Sequence, residues 1–247
     1  QHDEEPDVCC ICLDELPRDV NKLTRATCCG KQWHEGCQNN VMKSTMPDDL
    51  KHRCHQCRKP IPTTDKGQIE QLREWVDKDE AWAQRAMGQW YCGGKFGLKQ
   101  SYAMARMLFE KAVKQSDPGA MFHLAILYEA GREVDQSLKK AVELYTMAAE
   151  QGHLDAMYNL GCLYRDGEGV LKSFKKTTEL WTMAAEQGHV DAMYNLGVLY
   201  ENGEGVAQSD KKAAELYTMA AEQGKVDAMV NLGLLYIHGQ GVDQSNE

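Results

Sequence analysis

The chain has 247 residues, 43% of them apolar, and 37 acidic against 28 basic side chains give it a formal net charge of −9. This length allows one or two domains, and the acidic balance argues against a nucleic-acid-binding protein, which needs Lys and Arg to neutralise phosphates. No segment approaches the roughly 18 apolar residues of a membrane helix, so we expect no membrane partner. No secretory signal is visible, but the chain begins with Gln1 rather than Met, which leaves a preceding segment open.

Eight of the ten cysteines lie in the first 57 residues. Paired cysteines without a secretory signal indicate metal binding rather than disulfides. Seven of them and one histidine follow the order Cys-x2-Cys-x15-Cys-Cys-x4-His-x2-Cys-x16-Cys-x2-Cys, which is enough for two tetrahedral zinc ions. A module with so few large apolar side chains needs the metal in order to fold. The predicted ligands are Cys9, Cys12, Cys28, Cys29, His34, Cys37, Cys54 and Cys57.

This ligand order resembles the RING-type domain of many ubiquitin ligases. The resemblance implies that two structural Zn²⁺ ions are bound by interleaved pairs. One ion takes Cys9, Cys12, His34 and Cys37, and the other takes Cys28, Cys29, Cys54 and Cys57. It further implies that Ile11 contacts a ubiquitin-conjugating enzyme, that Arg58 bridges this enzyme and its ubiquitin, and that Pro60 lies at the rim of that surface.

The module departs from the RING-type pattern at three places. The third and fourth ligands are adjacent, Lys31 stands where the common form has a histidine ligand, and His55 stands where a proline usually follows the seventh ligand. If Cys28 is not a ligand, His52 or His55 is the alternative, and Cys10 is the alternative to Cys9. The order of four Cys, one His and three Cys also resembles the PHD finger, which reads histone tails, although His52 stands where that family has a tryptophan.

A short segment, residues 59–80, separates the cysteine-rich module from the rest of the chain. It begins with a loop, KPIPTTD, and continues over 67–76 with a helical pattern that places four apolar side chains on one face, Ile69, Leu72, Trp75 and Val76. We expect this helix to cap the following domain and to hold the first module against it. A flexible tether is the alternative interpretation. The predicted domains are therefore 1–62, a linker with a capping helix over 63–80, and 81–247.

The remainder of the chain repeats itself. The 36 residues from Ala148 agree at 26 positions with the 36 residues from Ala184, and tyrosine recurs at this period, at Tyr128, Tyr164, Tyr200 and Tyr236. A degenerate copy covers 81–113, and the last copy stops halfway at Glu247, which we interpret as a truncated repeat. A fixed period of this length predicts an α-α solenoid, so we expect a mainly α fold.

Each repeat is predicted to form two helices. In the copy around residue 200, the first covers 190–202, with Leu196, Leu199 and Tyr200 on one face, and Gly203 and Gly205 end it. Ser209 is the predicted N-cap of the second helix, which runs to about Gln223. Its inward side chains are Ala213, Leu216, Tyr217 and Ala220, and the small residues Gly197, Ala220 and Ala221 would let the two helices approach closely.

The recurring string DAMYNLGxLYxxGEGVxxSxKKAxELYxMAAEQG resembles the Sel-like repeat, a branch of the tetratricopeptide superfamily. The resemblance covers about 81–247. It implies right-handed superhelical stacking and a protein-binding role, and it brings no catalytic residues.

Other residues of the repeats are expected to be structural. Cys92 and Cys162 are predicted to be small buried residues, and His153 and His189 to start helices rather than bind metal. A lysine pair recurs once per repeat, at 139–140, 175–176 and 211–212. These pairs predict a basic stripe on a solvated helix surface, with recognition of an acidic partner as the alternative.

Together the two resemblances predict a RING-type ubiquitin ligase, a ubiquitin-protein transferase without a nucleophile of its own. It would position a ubiquitin-charged conjugating enzyme while the solenoid binds a substrate or adaptor. The alternatives are a non-catalytic, zinc-stabilised interaction scaffold and, less favoured, a histone-tail reader. Reduced cysteines lead us to expect a cytoplasmic or nuclear protein.

Overall fold

The computed structural model describes residues 62–241 and the backbone of two short strands. Strands β1 (Leu23–Arg25) and β2 (Gln32–His34) pair antiparallel, with Leu23 opposite His34. The chain divides into two compact units, 1–127 and 128–247.

Between residues 62 and 241 the structure is almost entirely α-helical, as the repeat pattern predicts. The first unit contains α1 (Asp65–Asp77), α2 (Ala81–Gly93), a 3-10 turn (Lys95–Gly97), α3 (Tyr102–Lys114) and most of α4 (Pro118–Ala130). The second unit contains α5 (Leu138–Glu150), α6 (Leu154–Asp166), α7 (Phe174–Glu186), α8 (Val190–Asn202), α9 (Asp210–Glu222) and α10 (Val226–His238).

Serine residues begin the second helix of successive repeats. Ser209 caps α9, as predicted, because its hydroxyl accepts a hydrogen bond from the backbone N–H of Lys212 at 3.3 Å. Serine caps α3, α5 and α7 in the same way, at Ser101, Ser137 and Ser173. The same side chain therefore fixes the start of four helices in these two units.

Histidine begins the first helix in two repeats. His153 Nδ1 accepts from the backbone N–H of Ala156 at 3.3 Å, and His189 Nδ1 accepts from that of Ala192 at 3.1 Å. The prediction that these histidines start helices is confirmed. At the other end of α8, Gly203 adopts a left-handed φ of 69°, which residues with a Cβ rarely adopt.

Helix α1 packs against the first repeat. Its Leu72 is completely buried and forms one core with Ala83 and Met87 of α2 and Leu108 of α3. Partly buried aromatic side chains surround this core, among them Trp75, Trp82 and Trp90. The apolar face of α1 thus packs on the helices that follow it, with Leu72 at its centre.

In three described repeats, a glycine of the first helix packs against an aromatic side chain of the second helix, at Gly88, Gly161 and Gly197. A Cβ on Gly197 of α8 would lie 2.7 Å from Cε1 of Tyr217 on α9, closer than any stable contact. Trp181 fills the same position over Gly161. The close approach predicted at Gly197 is confirmed. The sequence reading was wrong for Leu216, which is half-buried, whereas Ala214 is buried.

Candidate functional site

The residues of the predicted zinc module lie outside the described part of the chain. This applies to seven of the ligands, Cys9, Cys12, Cys28, Cys29, Cys37, Cys54 and Cys57, and to Ile11, Arg58 and Pro60. Of His34 only the backbone is described, at the end of β2. Within 62–241 no group of three or more His, Cys, Asp or Glu side chains could hold a metal ion. The zinc ions and the partner-positioning residues remain predictions.

The second unit contains an apolar groove of about 300 Å³, at the lower end of the volumes of ligand pockets. Three consecutive helices form it, α5, α6 and α7. We call it groove 1. Its lining consists of Thr146, Ala149 and Glu150 from α5, Met157, Leu160 and Tyr164 from α6, and Lys176, Glu179, Leu180 and Met183 from α7.

The floor of groove 1 is apolar and its rim is charged. Met157 and Leu160 are buried, whereas Met183 is 48% exposed. The carboxylates of Glu150 and Glu179 belong to exposed residues at the rim. A ligand that entered the groove would therefore bury the Met183 side chain and meet two acidic groups.

A lysine and a tyrosine close one side of groove 1. The Lys176 ammonium lies 4.6 Å from the centre of the Tyr164 ring and donates a hydrogen bond to the Tyr164 hydroxyl at 3.2 Å. The ring face attracts the cation, which holds the lysine side chain in place. The lysine pairs are exposed, as predicted. Lys176, the second lysine of the pair at 175–176, also lines groove 1.

The same lining recurs one repeat later. All ten groove residues are identical after a shift of 36 positions, and each keeps its burial class, although the two repeats differ at 10 of 36 positions. Lys212 again lies over a tyrosine, 4.9 Å from the Tyr200 ring. We call this set groove 2: Thr182, Ala185, Glu186, Met193, Leu196, Tyr200, Lys212, Glu215, Leu216 and Met219.

Sequence reasoning noticed the recurring tyrosines and lysines but missed the grooves. Both signals have the period of 36, and a search for positions that never vary between repeats would have linked them. The methionines recur at the same period, but an apolar residue on a helix is usually read as core. Only the fold shows that Met183 faces solvent while Met157 lies beneath it.

The buried aromatic side chains of the second helices carry polar networks of their own. Tyr145 and Tyr217 donate hydrogen bonds to Glu129 and Glu201, each at 2.6 Å. Burial first, and then these carboxylates, raise the pKa of both phenols. The phenols therefore stay protonated and keep donating at physiological pH, which fits a structural role.

The two described cysteines are half-buried rather than fully buried, which corrects the sequence prediction for Cys92 and Cys162. Burial raises the pKa of the Cys162 thiol, and the same cause raises the pKa of the neighbouring Tyr158 to about 12. A thiol with a raised pKa is mostly protonated and a weak nucleophile. Cys162 therefore has the environment of a packing residue.

Comparison with known proteins identifies the repeats. The Sel1 repeat model matches the chain five times in succession, over residues 83–117, 118–153, 154–189, 190–225 and 226–247. The chain belongs to the Sel1 repeat family. The predicted Sel-like repeats are thereby confirmed, and both grooves lie within Sel1 repeats. No curated protein matches the chain.

Two solved structures share the Sel1 solenoid fold. A protective antigen of uropathogenic Escherichia coli with an SLR fold is 28% identical, with a TM-score of 0.71 over 76% of this chain and 40% of that one. A Sel1 repeat protein from Oxalobacter formigenes is 29% identical, with a TM-score of 0.68 over 73% of this chain and 75% of that one. The chain thus spans 40% of the length of the E. coli antigen. Among residues 62–241, no helix has the length and apolarity needed to cross a membrane.

Proposed function

We propose that the chain is a protein-interaction scaffold whose Sel1 repeats bind a linear segment of a partner protein in grooves 1 and 2. The observation that carries this proposal is the ten-residue lining that recurs unchanged while neighbouring positions differ. Packing inside the solenoid explains the buried floor. It does not explain why the exposed members, Glu179 and Met183, recur as Glu215 and Met219.

The chemistry of the grooves suits an apolar side chain next to a basic one. Methionine is flexible and polarizable, so an exposed Met183 adapts to apolar groups of different shapes. The rim carboxylates of Glu150 and Glu179 are placed to accept hydrogen bonds from Lys, Arg or backbone N–H groups of the partner. Two equivalent grooves on one chain would add avidity for a segment that reaches both.

Peptide selection tests the scaffold proposal. Peptides that bind the whole chain are selected from a displayed random library, and their Kd is measured by fluorescence anisotropy. Met183→Glu and Met219→Glu should each weaken binding about tenfold, which corresponds to about 1.4 kcal/mol of lost apolar burial. Both methionines are exposed, so we expect the fold to tolerate the charge.

Met107→Glu is the matched control, because Met107 is 42% exposed on α3, outside both grooves. Its Kd should equal that of the unchanged chain. The proposal is wrong if no peptide is selected, or if all three variants bind alike.

A second candidate function is the RING-type ubiquitin ligase. The order of the eight predicted ligands supports it, together with Ile11, Arg58 and Pro60 at positions that match the RING pattern. Seven thiolates and one imidazole are donors that fit structural zinc, which would supply folding free energy to the module when bound. Ile11 would pack against the conjugating enzyme, and the planar Arg58 guanidinium would hydrogen-bond both it and ubiquitin. Acceleration would come from orientation alone.

Single-turnover discharge of a ubiquitin-charged conjugating enzyme to free lysine tests the ligase. We expect the whole chain to accelerate discharge, and Ile11→Ala and Arg58→Ala to abolish the acceleration while zinc content stays at two ions per chain. Arg18→Ala, in the same module but away from the ligands in sequence, is the control. If the chain accelerates discharge with no member of a conjugating-enzyme panel, the ligase function is wrong and only the scaffold function remains.

A further inference from the structure

Helix α7 is a wall of both grooves. Its residues in groove 1 are Lys176, Glu179, Leu180 and Met183, and those at the equivalent positions of groove 2 are Thr182, Ala185 and Glu186. Helical spacing places these two sets on different faces of α7, so the grooves lie side by side in the second unit. Packed helices are about 8–10 Å apart, and we therefore expect the centres of the two grooves to be separated by about 10 Å.

The separation of the grooves matches one turn of a polyproline II segment. Such a segment has three residues per turn and rises about 3.1 Å per residue, so side chains i and i+3 point the same way about 9.3 Å apart. In a β-strand, side chains on one face are two or four residues apart, at about 6.6 or 13 Å. A polyproline II segment can therefore place one side chain in each groove, whereas the spacing of a β-strand misses one of them.

The walls of the grooves also favour this conformation. They are the helices α5 to α9, and the backbone groups inside a helix are already hydrogen-bonded to each other. A bound β-strand needs a sheet edge for its own backbone groups, whereas a polyproline II segment keeps its backbone solvated. A helical ligand is about 10–12 Å wide, so it would rest on the exposed side chains of α7 and hold its own side chains above the groove floors.

The rims of the grooves are acidic. Exposed carboxylates stand at both of them, Glu150 and Glu179 at groove 1 and Glu186 and Glu215 at groove 2. No ion pair between residues of the described region involves these four groups. The lysine of each groove lies over a tyrosine ring instead. Each rim thus has two carboxylates for one ammonium group, which favours a basic partner.

We propose that grooves 1 and 2 together bind one polyproline II segment of a partner protein, with apolar side chains three residues apart and basic side chains between them. This inference rests on the scaffold function proposed above and specifies the ligand of the same grooves. One apolar side chain packs against Met183 and the other against Met219, while the basic side chains reach the rim carboxylates. A polyproline II segment is ordered before it binds, so little conformational entropy is lost on binding.

Three peptides of identical composition test the spacing. The probe is fluorescein-labelled Pro-Leu-Arg-Pro-Leu-Arg-Pro, with its leucines three residues apart and its prolines favouring the extended backbone. Pro-Arg-Leu-Pro-Leu-Arg-Pro has a spacing of two, and Pro-Leu-Arg-Pro-Arg-Leu-Pro has a spacing of four. Fluorescence anisotropy with the whole chain should give a Kd at least about tenfold lower for the spacing of three, because only that peptide buries a leucine in each groove.

Substitutions in the whole chain show whether the preference for a spacing of three needs both grooves. Met183→Glu and Met219→Glu should each remove it, so that the three peptides bind these variants with equal Kd. The reason is that a leucine entering the altered groove would have to desolvate a carboxylate, which leaves a single usable groove. Met107→Glu is the matched control and should keep the preference, since Met107 is exposed on α3, outside both grooves.

The charge requirement is tested with a fourth peptide, in which glutamine replaces both arginines of the probe. It should bind the unchanged chain about threefold more weakly than the probe, because exposed ion pairs contribute little each. The double variant Glu179→Gln, Glu186→Gln should bind both peptides alike.

Several results would overturn the polyproline II proposal. Equal affinity of the three spacings for the unchanged chain is one. Tighter binding at a spacing of two or four would assign a β-strand, and tighter binding of a stapled helix with leucines seven residues apart would assign a helix. The scaffold function survives each of these results if peptides selected from the random library still depend on Met183 and Met219. If the library yields no peptide, the scaffold function is wrong and this proposal with it.

Discussion

At the scale of single residues, the repeats show a paired exchange. Positions 129, 165 and 201 are Glu, Arg and Glu, and the aromatic partners at 145, 181 and 217 are Tyr, Trp and Tyr. A phenol donates to a carboxylate in the first and third pairs. In the middle pair, the Arg165 guanidinium lies 5.6 Å from the centre of the Trp181 ring instead. The charge at 129, 165 and 201 therefore changes together with the aromatic residue it meets. An indole face attracts a cation, whereas a phenol O–H needs an acceptor.

Replacing both Arg165 and Trp181 should lower the free energy of unfolding less than replacing Trp181 alone. Trp181→Tyr alone should lower the free energy of unfolding by about 1–3 kcal/mol, because it removes buried volume and points a phenol at a cation. Adding Arg165→Glu should recover about 1 kcal/mol by restoring the Tyr–Glu hydrogen bond. Urea unfolding of the two single variants and of the double variant measures the coupling energy between the two positions. Strictly additive changes in the free energy of unfolding would contradict the prediction.

At the scale of helices, most of the secondary structure could be predicted from sequence. The bounds of α8 match the predicted 190–202, because glycine caps and apolar periodicity are local signals. The helix predicted over 67–76 extends to Asp65–Asp77. The solvent exposure of each residue was less predictable. Leu216 and Cys162 are half-buried, because their exposure depends on a neighbouring helix and not on the pattern of their own helix.

Two glycines at the same repeat position should respond oppositely to alanine. Gly197→Ala should lower the free energy of unfolding by about 1–3 kcal/mol, since the new methyl collides with Tyr217. Gly233→Ala should leave it unchanged or raise it by up to about 1 kcal/mol, because alanine favours helix and the space is empty. Urea unfolding of the two variants is the measurement. Equal effects would show that another group occupies the space next to Gly233.

At the scale of the whole molecule, the sequence predicts the repeats and the cysteine-rich module, whereas the grooves are seen only in the structure. The period of 36 was sufficient to predict the Sel1 solenoid, which the family match and two solved structures confirm. The grooves needed the fold, because their lining comes from three helices spread over 38 residues, from Thr146 to Met183. For the cysteine-rich module the ligand spacing is the basis of the prediction, and Ile11 and Arg58 remain predicted contacts of a conjugating enzyme.

The most direct test of the scaffold is to observe the methionines while a selected peptide binds. The chain contains 12 methionines, and methyl-labelled methionine gives one NMR signal for each. Titration should shift the signals of Met157, Met183, Met193 and Met219, which belong to grooves 1 and 2, and leave Met107 in place. Shifts confined to Met107, or to Met229 on α10, would contradict the claim that the repeated grooves bind the partner.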